Sequence, residues 1–374
     1  MYAPIRRQIS VHNIEVHNQG KSSEILVVAL IPNRRYNYGP LVVLAQGVCK
    51  EADASFYKRI LVLVSRIWKE DSLSGAARGP LSTVQSDGAS VLAAAGHATF
   101  DIPFAAQGSA KGGVAAASPG MAVLGVTALA VVDKFRSLAL FPKYCGRGAN
   151  DGQVDGRDGK HVGKRFKTRA NTKTLGFAIA SSFQYIRSFL RDLIKSANPA
   201  SESELKEIFN EGGADAQKFP AMVKLIVALH RLKEKTPSDF PERDPVIMKG
   251  VFSEIRILSE YAGCFECLFL GRELSLEQHL DSLSTLAHLL LVLFRRNGTK
   301  FVPAQHYSNT QRMIRAHFWS VATAQVHEID EYYIFLDSTD PLEQLIGIIR
   351  GLHGSGTEVD CVQFDERATA ANVF

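Results

Sequence analysis

No run of apolar residues in this chain is long enough to cross a membrane. The longest, residues 121–132, stops well short of the ~20 residues a spanning helix needs, and Pro119 and Gly120 block its extension backward. Cysteine is scarce: Cys49, Cys145, Cys264, Cys267 and Cys361 are an odd number spread thinly over 374 residues, with no secretory signal ahead of them. That excludes a disulfide-stapled scaffold and points to a reducing, intracellular compartment, nuclear or cytoplasmic. Neither sign of charge dominates. The 43 Lys and Arg against 38 Asp and Glu leave a net charge of +5. This permits nucleic-acid binding without demanding it, because the clustering of cations sets the local field. Also missing are the phosphate-cradling GxxxxGK[ST], the dinucleotide GxGxxG and the nucleophile elbow GxSxG.

What is present suits a large globular fold, since 46% hydrophobic residues can build a sizeable core. Two apolar, β-branched runs, residues 24–32 and 39–46, flank a turn-rich stretch at 33–38 and predict a β-hairpin. Residues 51–70 then place Phe56, Ile60, Leu63, Val64 and Ile67 at helical spacing. A short strand is predicted at 81–85, giving way to Ser86-Asp87-Gly88. Residues 105–132 are dominated by Ala, Gly and Ser, so 105–140 reads as a low-complexity insertion, and 146–163 reads as a Gly- and Asp-rich loop. Beyond it the chain turns helical. Ile186, Phe189, Leu190, Leu193 and Ile194 form one stripe, and Met222, Leu225, Ile226, Leu229 and Leu232 a second. A third helix, 276–294, is apolar around much of its circumference and belongs inside a bundle.

The candidates for chemistry lie far apart in sequence. Asp87 stands where a buried strand gives way to a Gly-containing turn, which suits either an ordinary turn residue or a carboxylate held at a cleft. Asp340 has the position of a helix N-cap, with Pro341 first in the helix and Glu343 third, a capping box that needs no function to explain it. Residues 157–173 carry seven Lys or Arg against one Asp, a density that fits phosphate oxygens or, equally, a solvated helix face. Cys264-Phe265-Glu266-Cys267 lacks a second pair at zinc spacing and reads as helix packing.

Taken in order, three of these segments resemble transposases of the P-element and THAP-domain group, including fungal transposon-derived members. Val84-Gln85-Ser86-Asp87-Gly88 is similar to that family's strand ending in a catalytic Asp, and residues 158–165 are similar to its D-x-K-H-x-x-K-R block. Residues 340–350 are similar to its D-x-L-E-x-x-F-G-x-x-R, with Ile346 in place of Phe. Weaker likeness is carried by Gly47-Val48-Cys49-Lys50, by residues 216–220, and by 274–278, 297–303 and 311–315, so that it spans 24–368 apart from the insertion.

The resemblance implies an α/β fold, a ribonuclease-H-like mixed sheet interrupted by a large, mostly α-helical insertion domain. Its expected segments are 1–104 and 141–165 as core, 105–140 as low-complexity insertion, 166–330 as helical insertion, and 331–374 as the return to the core with the late acidic helix. It implies two-metal phosphodiester cleavage and strand transfer, with Mg2+ or Mn2+ held by Asp87 and Glu343, and Asp340 beside them as a further catalytic candidate. It also implies guanosine triphosphate contact through Asp158, His161 and Lys164, DNA contact through Arg157, Lys160, Lys164, Arg165, Lys167 and Arg169, and a homo-oligomer without a membrane role. One departure bears on activity. The family's first acidic strand should precede the hairpin, yet residues 1–50 contain no Asp, and Glu15 is the only substitute. The first 48 residues hold no Cys for a zinc-ligated DNA-end-reading domain. The expectation is therefore a chain starting inside the family's catalytic domain and catalytically impaired, or else a non-catalytic helical interaction module.

Overall fold

The computed structural model describes residues 7–15, 24–32, 41–48, 52–70, 81–86, 95, 126–138, 154–174, 176–179, 184–197, 201–211, 218–240, 245–329, 332–334, 337–351, 364 and 366–367. Asp87 lies outside them, and so does most of the low-complexity segment. The chain divides into two units, Met1–Asp158 with Arg315–Phe374, and Gly159–Ile314.

The first unit is built on a mixed sheet. Its strands are β1 (Arg7–Glu15), β2 (Glu24–Pro32), β3 (Leu41–Val48), β4 (Leu81–Ser86) and β5 (Val154–Arg157), in spatial order β3-β2-β1-β4-β5. The expected hairpin is β2 paired antiparallel with β3. β1 joins β2 antiparallel and β4 parallel, and β4 joins β5 parallel. Leu26, Val27, Val28 and Ala29 are consecutive and fully buried. Burial of successive residues means that both faces of β2 are covered, which explains a continuous apolar run without alternation.

β1 is the strand that the sequence reading missed. Its residues, RQISVHNIE, mix Gln, Ser, His and Asn among the apolar ones and so dilute both the alternating and the continuous pattern. The strand position ahead of the hairpin is therefore filled, at the centre of the sheet, by a segment lacking Asp.

Helix α1 (Ala54–Glu70) carries the chain from β3 to β4. Its buried stripe is Tyr57, Ile60, Leu61 and Trp68, whereas Leu63 and Ile67 are exposed. The stripe is thus rotated from the expected one, because Tyr57 and Trp68 bury more area than Leu63 and Ile67 would. Helix α2 (Val126–Leu138) falls inside the segment expected to be a low-complexity insertion. It buries Val131, Val132 and Phe135, and the Phe135 ring meets Trp319 edge-on at 5.3 Å.

The second unit begins with α3 (Gly159–Ala170), so the stretch 146–163 read as a loop in fact contains β5 and the start of a helix. Then come a small hairpin, β6 (Phe177–Ala178) with β7 (Gln184–Tyr185), and helices α4 (Arg187–Ala197), α5 (Glu202–Ile208) and α6 (Phe219–His230). The long α7 (Pro245–Leu270) and α8 (Leu276–Asn297) pack on one another, and α7 also packs on α6. α9 (Ala304–Val326) contributes its residues up to Ile314. Pro245 opens α7, where a missing N–H costs nothing, and a capping box at Ser275 opens α8. Phe166, Phe177, Tyr261, Phe265 and Phe301 form the aromatic interior, with neighbouring ring centroids 5.3–5.9 Å apart. α3 passes so close to its neighbours that a Cβ on Gly163 would lie 2.5 Å from Met222 Sδ and 2.9 Å from the Phe269 ring. Cys264 is buried on α7 and burial pushes its thiol up to about 12, so it behaves as a packing residue.

Candidate functional site

The late acidic helix returns to the sheet. α10 (Asp340–Gly351) buries Leu342, Leu345, Ile346 and Ile349 and packs against β2. Its first turn is offset by one residue from the expected capping box. The Thr339 carbonyl accepts the Glu343 N–H at 3.0 Å, which puts Thr339 at the cap and makes Asp340 the first helical residue. Asp340 is half-buried, and its N–H donates to Ser338 Oγ at 3.3 Å.

That offset frees the Thr339 hydroxyl for another task. Fully buried, it donates to Asp158 Oδ2 and stands 3.4 Å from Glu343 Oε1. Asp158 follows β5 directly and is itself fully buried. The carboxylate oxygens of Asp158 and Glu343 come within 4.8 Å of one another. Carboxylate oxygens at that spacing suit a hard divalent cation such as magnesium or manganese.

The strands around this pair hold further buried polar groups. Ser86, the last residue of β4, is level with Arg157, the last of β5, so Asp87 and Asp158 both follow the C-terminal ends of adjacent parallel strands. Arg157 Nη2 pairs with Asp155 Oδ2 at 3.0 Å and Nη1 donates to Gly156 O at 3.0 Å. The Arg315 guanidinium reaches Asp155 O at 3.5 Å. Gln85 on β4 donates to Asp337. A Cβ on Gly156 would lie 3.0 Å from Ala316 Cβ and 3.3 Å from Gln85 Cγ, so a side chain there would press α9 and the Gln85 stem outward by a few tenths of an ångström.

Glu15 does not stand near that end of β4. The β1 residue level with Ser86 is Val11, and Glu15 is four residues farther along, opposite Glu24. At ~3.3 Å per residue that is about 13 Å.

The basic run is mostly structural where it is buried. Arg157 is internal and ion-paired, and Lys167 is fully buried. Arg169 is buried, with Nε donating to Phe301 O at 3.1 Å and Nη2 to Thr299 O at 3.1 Å and Lys300 O at 2.6 Å. It thereby satisfies carbonyls left bare after α8 ends. These three cations are buried, and a charge count by itself does not distinguish solvent from carbonyls. Lys160, Lys164 and Arg165 are half-buried on α3, with Lys160 Nζ 4.8 Å above the Phe219 ring and burial lowering the Arg165 pKa. His161 is half-buried in the first turn of the same helix. Thr339 was not foreseen at all. The only sequence signal for it is a hydroxyl residue just ahead of Asp340-Pro341, which also fits a plain cap.

No protein-family model and no curated protein sequence matches this chain. Among solved structures, the fold is similar to a chain of the Drosophila P element transposase strand transfer complex, with a TM-score of 0.57 and 10% sequence identity, covering 99% of this chain and 77% of that one. At that identity the likeness is one of fold. No described helix is long and apolar enough to cross a membrane.

Proposed function

We propose that this chain is a transposon-derived protein of the cut-and-paste DNA transposase class, built on a ribonuclease-H-like sheet and impaired in phosphodiester chemistry. The observation that carries the reading is the approach of Glu343, on a late helix, to within 4.8 Å of Asp158 at the C-terminal ends of the parallel strands. The strand order β3-β2-β1-β4-β5, antiparallel on one side of β1 and parallel on the other, supports the sheet assignment. The fold likeness to a P element transposase supports the class.

In this reading Asp158 and Glu343 hold magnesium or manganese, and Asp87, which lies outside the described residues, is the further candidate ligand. When bound, such cations activate the attacking oxygen and stabilise the leaving one. Lys160, Lys164 and Arg165 meet DNA phosphates. The impairment follows from β1: it offers no acid level with the end of β4, and Glu15 lies about 13 Å past that level. This same observation favours a binding role without catalysis as the second reading.

Manganese titration calorimetry on the full chain tests the cation site. Binding is expected, weakened about 10- to 100-fold in Glu343→Gln and Asp158→Asn, as for other ligand-shell losses. Absence of binding to the wild type would remove the site from the proposal. A plasmid nicking assay with manganese tests the impairment: the expected result is no cleavage at a transposase-like rate. Robust nicking abolished by both Asp87→Ala and Glu343→Ala would overturn it. DNA affinity should fall steeply with salt, and unchanged low-salt affinity in a Lys160→Glu/Lys164→Glu variant would refute the DNA contact.

A further inference from the structure

We infer that the buried Gln85–Asp337 pair is a positioning device: it fastens the segment that starts α10 to the sheet and so sets the spacing between the Glu343 and Asp158 carboxylates. The inference rests on the cation site proposed above. Gln85 Nε2 donates to Asp337 Oδ1 at 2.8 Å and to Asp337 O at 3.1 Å. Because both partners are acceptors, the amide nitrogen must face them, which fixes the orientation of the Gln85 amide.

Asp337 gathers partners from three parts of the unit. Besides Gln85 on β4, Tyr332 OH donates to its Oδ2 at 2.8 Å, and His317 Nδ1 on α9 lies 3.4 Å from the same oxygen. Two residues later Thr339 donates to Asp158 and accepts the N–H of Glu343. The register completes the link, since Gln85 pairs with Gly156, two residues before Asp158. A short path, buried at Gln85, Asp337 and Thr339, thus joins the strand pair to the first turn of α10.

Glutamine at this position carries a cost in stability. Its Oε1 is buried with no hydrogen-bond partner among the described residues, a cost that partly offsets what its two bonds to Asp337 contribute. A buried polar group kept in spite of such a cost is expected where geometry matters more than stability.

The test uses the full chain, manganese as probe, and two readouts, calorimetric affinity and thermal midpoint. Gln85→Glu sets two carboxylates against each other and should weaken manganese binding about 10- to 100-fold, the usual effect of losing an outer partner of a metal site. Adding Asp337→Asn restores a donor–acceptor pair across the contact, with the introduced amide donating to the introduced carboxylate, and should recover most of the affinity. Gln85→Met covers the case in which Gln85→Glu does not fold. It leaves the Asp337 carboxylate without this donor, so a modest fall in midpoint is expected, with an affinity loss of the same size, about 10- to 100-fold, at a temperature where the variant is fully folded. Wild-type affinity in Gln85→Met and Gln85→Glu would overturn the positioning role and leave the cation site standing. An affinity loss that merely tracks a falling midpoint would also overturn it. No binding by the wild type would overturn the cation site and this inference together.

Discussion

In the helical unit the interior is a set of rings, Phe166, Phe177, Tyr261, Phe265 and Phe301, whereas the sheet-bearing unit buries Gln85, Asp155, Arg157, Asp158, Asp337 and Thr339 around the ends of its parallel strands. Rings gain free energy simply by leaving water. Carboxylates and amides lose hydration and persist inside only when each finds a partner. The helical unit buries charges too, Arg169 against the carbonyls after α8 and Glu254 against the Tyr185 hydroxyl. In the sheet-bearing unit the buried polar groups answer one another. The contrast teaches that burial of charge alone says little, and that whether the buried groups meet one another is what differs.

The largest effect should come from the rings. Phe166→Ala removes a fully buried ring that touches Phe177, Tyr261 and Phe265. It should destabilise the protein by about 3–5 kcal/mol in urea denaturation and leave manganese affinity intact. A cost below ~1 kcal/mol would break the view of this cluster as the core of its unit.

Acid should reveal the next effect. Burial first, then the charges of Arg165 and Arg169, hold His306 down to about 3, against an ordinary value of 6.5. Its ring nitrogen Nε2 contacts Tyr261 OH at 3.1 Å. The unfolded chain therefore binds a proton that the folded one refuses between those two values. Stability from this residue is whole above pH 6.5 and falls by about 1.4 kcal/mol per pH unit below it. His306→Gln should flatten the stability profile just below pH 6.5, and an unchanged slope there would exclude His306 as its source.

Arg169→Met keeps the packing stem but strips three carbonyls of their donor. A loss of about 1.5–3 kcal/mol is expected, together with unchanged low-salt DNA affinity. A large fall in DNA affinity at constant stability would restore Arg169 to the phosphate-facing set. Smallest of all is Lys224→Ala, which removes an exposed ion pair with Glu207 at 2.7 Å. Such pairs contribute little in water, so the denaturation midpoint should not move. A clear shift would mean that surface charge, and not the rings, organises the helical unit.

Hydrophobic pattern made part of this fold legible. The β2–β3 hairpin, β4, the Met222–Leu232 stripe and the helix beginning near 276 all follow from runs of apolar residues at period two or 3.6. β1 and β5 were not legible, for a shared reason. Their residues, RQISVHNIE and VDGR, are polar enough to read as loop, and they become strands only because neighbouring strands supply the ladder bonds. In β5 the Asp155–Arg157 pair offsets the charge that would otherwise bar burial.

For the site, the sequence by itself determined that Glu343 would ride an acidic late helix and that Asp87 would follow a strand, since capping and apolar pattern are local properties. Which carboxylate approaches Glu343 was decided by the tertiary structure alone. Asp158 and Thr339 are 181 residues apart, yet the two meet in a buried hydrogen bond. No local signal encodes such a contact, because it depends on sheet register and on where α10 docks against β2. The same holds for the basic run, whose sign and density are written in the chain. Packing alone sends Arg157, Lys167 and Arg169 inward, since a cation's partner, carbonyl or solvent, is set by the surfaces that close over it.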